Sequence, residues 1–186
     1  MLTSRFALTL LAGLALAPCS HAFASETMTP EETVAFILFG MKNGVPVYEN
    51  STEIAVTKEA DTPLALKLSV EGNTVISINV KRLDDCRYDA VFDMPSIRGT
   101  SQSLRFGGVF DLSNLKSVEV GSNRVWFDGV ELECVEACSD VQRQFQLTNA
   151  LDVIGKAKDE EEQQAERTAA VAHFRQNICV KQENWP

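Results

Sequence analysis

Five cysteines, two histidines and several close-set carboxylates are the residues of this 186-residue chain whose types could support metal, redox or hydrolytic chemistry. Cys134 and Cys138 stand four apart in the stretch GVELECVEACSDVQ, residues 129–142. Such a pair can clamp a metal, cycle between thiol and disulfide, or staple a loop. A tetrahedral metal site needs three or four ligands. The donors that would complete a three-cysteine, one-histidine set with them are Cys179 and His173, which on a helix sit about 120° apart, too far round for one ion to reach both. Strand alternation sets Cys134 on the face of Val130 and Leu132 and turns Glu131 and Glu133 away, so the neighbouring carboxylates do not converge on the thiol. A redox role is opposed by the spacing, which is not Cys-x-x-Cys, and by the lack of a helix start at Cys134 to lower a thiol pKa. No metal and no cofactor are expected.

The remaining reading is structural. Cys86, Cys134, Cys138 and Cys179 make an even set, which in an exported chain reads as two disulfides with three possible pairings. The preferred pairing is Cys134–Cys138, closed around the loop Val135-Glu136-Ala137, with Cys86–Cys179 tying a strand to the end of a C-terminal helix.

Export is read from the N-terminus. Arg5, the apolar run FALTLLAGLALA, the break at Pro18 and the small-x-small site Ala22-Phe23-Ala24 predict a signal peptide over residues 1–24, cleaved between Ala24 and Ser25. The apolar run is about a dozen residues, short of the ~20 needed to cross a bilayer, so no membrane span is expected. Cys19 invites a lipoprotein reading, but Pro18 stands where a small residue should precede a lipidated cysteine. Residues 25–186 then form a single disulfide-stapled domain, periplasmic or secreted. Losing Arg5 takes the net charge from −9 to −10. Bulk electrostatics of that sign opposes binding to nucleic acid or anionic lipid and suits a cationic partner.

Catalytic patterns are sparse. No nucleophile elbow, zinc helix or phosphate-cradling glycine loop is present. Asp84 and Asp85 are adjacent, so their side chains diverge and the pair reads as a turn. The run Asp159–Glu162 reads as the solvated first turn of a helix. The function expected is that of an exported, noncatalytic accessory protein that binds an unidentified envelope or extracellular protein or small ligand. A small envelope hydrolase with dispersed carboxylates is the alternative, and an inhibitor of a cationic enzyme such as lysozyme a third.

The elements that would position these residues follow from periodicity. Thr29-Pro30-Glu31-Glu32 is a capping box opening the all-round apolar helix TVAFILFGMKNG, with Asn43-Gly44 as its stop. Weaker strands at VPVYE and EIAVTK come before LALKLSVE and TVISINVK, which alternate as a hairpin around Gly72-Asn73. CRYDAVF, SLRFGGVFDL with a bulge or bend at Gly107-Gly108, LKSVEV, RVWFD, GVELECV and VQRQFQL complete the set of short strands. A final helix runs from the acids near residue 159 and presents Ala170, Val171, Phe174 and Ile178, with Thr168 and Cys179 at the margin. The class predicted is α+β: mainly an antiparallel sandwich or barrel of about seven to eight strands, with an N-terminal helix and a long capping helix at the C-terminus. In architecture this resembles the pleckstrin-homology-like arrangement of seven strands and a helix. No motif carries the resemblance, so it implies no ligand or activity.

Overall fold

A computed structural model describes residues 28–49, 51–94, 104–134, 138–152 and 159–180. The expected cleavage site at Ala24 and Ser25, Pro18-Cys19 and the loop at residues 135–137 lie outside them.

Helix α1 spans Pro30–Phe39. Its capping box is reciprocal: Glu32 N–H donates to Thr29 Oγ1 at 3.2 Å and Thr29 N–H to Glu32 Oε2 at 2.8 Å. Burial pushes the Glu32 carboxyl up, but the Thr29 N–H and the Lys58 ammonium outweigh it and hold it below the usual carboxylate range. Seven consecutive residues, Thr33–Phe39, are buried, as a helix without a polar face requires. The helix ends earlier than Asn43-Gly44. Gly40 takes the left-handed cap (φ 73°) and returns its N–H to Phe36 C=O, while Gly44 N–H bonds Val56 C=O in the loop beyond.

A seven-stranded antiparallel sheet follows. Strands β1 (Val47–Glu49), β2 (Thr52–Asp61), β3 (Leu64–Val70), β4 (Asn73–Arg82), β5 (Arg87–Met94) and β6 (Leu104–Asp111) are successive neighbours. The β3–β4 turn is Glu71-Gly72, one residue earlier than the sequence suggested. Both residues have positive φ (49° and 80°), the requirement of a two-residue turn that matches strand twist. Residues from successive strands line up in rows on the inner face: Leu66–Ile78–Phe92–Phe106, Leu64–Val80–Ala90–Gly108 and Tyr88–Phe110. Apart from Gly108 these side chains are buried, each large aliphatic contributing about 1.5–3 kcal/mol relative to exposure. α1 packs on this face against β4 and β5.

Gly107-Gly108 makes no bulge in the β5–β6 register, which is continuous from Arg87↔Asp111 to Met94↔Leu104. The glycines serve close approach instead. A Cβ on Gly107 would lie 2.5 Å from Ala90 O, and one on Gly108 would lie 2.6 Å from Glu133 O.

The chain then leaves the sheet for the hairpin β7 (Ser117–Val120) and β8 (Arg124–Asp128), and returns as β9 (Glu131–Glu133), which pairs with β6 and closes the order β1-β2-β3-β4-β5-β6-β9. Both ends of that order remain edges, so there is no closed barrel. The segment VQRQFQL is not a strand but part of helix α2, Asp140–Thr148. Its alternating pattern is overridden by a capping box at Ser139 and Gln142. Leu147, which a strand would have put beside Phe145, is 87% exposed. Phe145 alone is buried and plugs the space between the sheets, 5.6 Å from Phe110 and 6.0 Å from Phe127 by ring centroid. A short strand that the sequence did not suggest, β10 (Ala150–Asp152), pairs with β8 to make the second sheet, ordered β10-β8-β7. The fold is α+β, as read from the pattern of elements. Among the described residues, no helix is long and apolar enough to cross a membrane.

Helix α3 runs from Glu160 to His173 and continues as a π-helical turn, Phe174–Ile178. Asp159 caps it, accepting from the N–H groups of Glu161 and Glu162 at 2.9 and 3.0 Å. Ala170, Val171, Phe174 and Cys179 are buried, Ile178 is half-buried and Thr168 is exposed. The buried arc also takes in Gln163 and Arg167.

Candidate functional site

The cysteines sit where the elements meet. Cys86 directly precedes β5, in a turn built by Asp84, whose Oδ1 accepts both Cys86 N–H and Arg87 N–H at 2.8 Å. Asp85 instead pairs with Arg82, so the two adjacent carboxylates diverge into separate contacts. Cys179 ends the π-helical turn, its N–H bonded to Phe174 C=O at 2.8 Å. Cys86 and Cys179 are joined as a disulfide with 4.8 Å between their Cα atoms, across 93 positions of sequence. Cys134, just after β9, is joined to Cys138, just before the α2 cap, at 5.4 Å. Both separations fall in the ordinary disulfide range.

With the four sulfurs bonded to one another, none is a free thiolate to ligate a metal. His173 is exposed, and its Nδ1 lies 3.1 Å from Asn177 Nδ2. Among the described residues, no three His, Cys, Asp or Glu side chains gather as a metal site. The acids of Asp159–Glu162 face solvent, and Asp159 is engaged in capping.

Beside the long disulfide lies a groove of about 560 Å³, between residues 112–116 and the last turns of the C-terminal helical segment. Its polar lining is Ser113, Asn114, Lys116, Arg175 and Gln176. The turn is held on the body by Leu112 N–H donating to Cys86 C=O at 2.9 Å and Ser113 N–H to Asp111 Oδ1 at 2.8 Å. Gly129 lies underneath, and any Cβ there would meet Asn114 O at 1.9 Å. Lys116 reaches Asp128 at 3.4 Å, an exposed pair of little energetic weight. The groove therefore presents two cations on a chain that is acidic as a whole. It offers hydrogen-bond donors and positive charge to a ligand, but none of its lining side chains is a free thiol, imidazole or carboxylate.

The side chains missed by sequence reading are the polar ones that α3 turns inward. Gln164 bonds the backbone of β7. Gln163 and Arg167 are buried on the α1 side, at 5% and 2% exposure. A signal for them existed. At 100° per residue, Gln163 and Arg167 extend the arc of Val171 and Phe174 toward the helix start. Burial lowers the Arg167 pKa to about 10 and raises that of Tyr88 to about 12.

No protein-family model, no curated protein and no solved structure matches the chain.

Proposed function

We propose that the protein is exported to the periplasm or the extracellular space and acts there by binding, without catalysis, with the groove beside Cys86–Cys179 as its contact site. The observation that carries the reading is that long disulfide, because such cross-links persist in oxidising compartments and are rare in the cytosol. The second disulfide supports the same compartment. The absence of a reactive side chain from the groove lining supports binding over turnover, and Lys116 and Arg175 suit an acidic group on the ligand.

Three measurements test this. Mass spectrometry of protein taken from cells, with free-thiol titration of the unfolded sample, should find Ser25 at the N-terminus, no lipid and no titratable thiol. A retained leader with free thiols, or a diacylated Cys19, overturns the export reading. Partner capture from envelope extract at low and high salt, repeated with Arg175→Glu, should lose a salt-sensitive partner in the variant. Turnover in a hydrolase screen that vanishes in His173→Ala would make the protein an enzyme instead.

A further inference from the structure

We propose that Arg167 is the charged anchor of a buried oxyanion site in the seam between α1 and α3, taking a small carboxylate- or phosphate-bearing ligand. Arg167 is 2% exposed, its Nε and Nη1 are buried, and neither has a hydrogen-bond partner. Burial alone shifts its pKa, with no carboxylate acting on it, and a value of about 10 leaves it charged at neutral pH. Losing the proton is therefore not its remedy. A buried charge without a counter-ion is among the least favourable arrangements in a protein interior, and each orphaned donor adds to the cost.

The surroundings define what can relieve it. One turn earlier on α3, Gln163 places its carboxamide on the same side, also buried. Opposite is Gly40, at the end of α1. A Cβ there would lie 2.0 Å from Arg167 Nη2 and 3.0 Å from Gln163 Nε2. The missing side chain at residue 40 is what lets both polar groups lie against the helix end. The negative end of the α1 dipole offsets part of the charge. It supplies no acceptor to Nε or Nη1. A water would supply an acceptor without charge, whereas a carboxylate or phosphate oxygen supplies both at once. A purely structural residue at this position would be better served by an apolar side chain of similar volume.

The inference deepens the binding reading but depends neither on export nor on the Lys116–Arg175 groove. The test uses full-length, disulfide-intact protein titrated with sodium acetate or sodium phosphate, with sodium chloride holding the ionic strength constant. Because a ligand that binds only the folded state raises apparent stability, the wild-type unfolding midpoint should climb with the concentration of at least one oxyanion. Saturable heats in calorimetric titration of the same anion should accompany the climb. A response to acetate alone assigns a carboxylate ligand, and one to phosphate alone assigns a phosphate. Arg167→Met should abolish the response, and Arg175→Glu should leave it intact. Wild-type protein that distinguishes neither anion from chloride overturns the proposal, whether or not the methionine variant folds. So does a response that survives in Arg167→Met.

Discussion

Gln164 holds Val120 as a neighbouring strand would: its Oε1 accepts the Val120 N–H at 2.6 Å, while its Nε2 donates to Val118 C=O at 2.9 Å. β7 is an edge of the three-stranded sheet, and open edges invite pairing with other chains. One carboxamide thus satisfies a backbone donor and a backbone acceptor that would otherwise be orphaned. Gln164→Ala should lower stability by about 1–3 kcal/mol. Amide exchange at Val120 should quicken more than in β3 or β4. Unchanged exchange at Val120 would show that the clamp is dispensable.

Glu32 sets an acid limit on stability. Its depressed pKa means that the folded state favours the carboxylate, so the contribution is complete above the unfolded pKa. It is lost as pH falls through the lower folded value. Lys58 supplies much of the partner charge, bonded to Glu32 at 3.0 Å and to Asp61 at 2.7 Å. Glu32→Gln keeps the capping geometry and removes the charge. Its stability deficit, measured by urea denaturation, should be present at neutral pH and close at acid pH. A deficit independent of pH would assign the effect to packing.

The two disulfides should differ in worth. Opening the bridge across 93 positions with paired Cys86→Ala and Cys179→Ala should cost about 4–5 kcal/mol in the chain-entropy model, against about 2 kcal/mol for the bridge across four. Denaturant midpoints of the two double variants provide the comparison. Equal losses would mean that loop length is not the controlling term.

Glycines at 107 and 72 are required for different reasons. The obstacles to a Cβ at Gly107 are backbone atoms, Ala90 O at 2.5 Å and Val91 Cα at 2.8 Å, which cannot swing aside. Gly107→Ala should cost about 1–3 kcal/mol by overpacking. Gly72 has open space around it but φ 80°, so Gly72→Ala should cost nearer ~1 kcal/mol, from backbone strain alone. Thermal midpoints of both variants check the ranking.

The elements legible in the sequence are those whose local signals agree with their burial. The Thr29 capping box, the alternation of Leu64, Leu66 and Leu68 against Ile76, Ile78 and Val80, and the even cysteine count are of this kind. α2 was illegible because V-Q-R-Q-F-Q-L alternates like a strand, while only Phe145 finds a core to enter. Arg167 was illegible for the opposite reason: a guanidinium in a charged helix reads as solvated, and only its place on the buried arc marks it. The groove joins Lys116 to Arg175 through packing, which no spacing along the chain reveals.

The burial of Thr33–Phe39 on every side also constrains the order of assembly. An isolated helix of this length is marginal in water. Each strand that shields it, and α3 behind it, lies later in the chain. During synthesis the segment VAFILF is therefore a greasy passenger awaiting its container. It is no seed for folding, and its structure arrives only when the carboxyl-terminal part of the polypeptide closes over it.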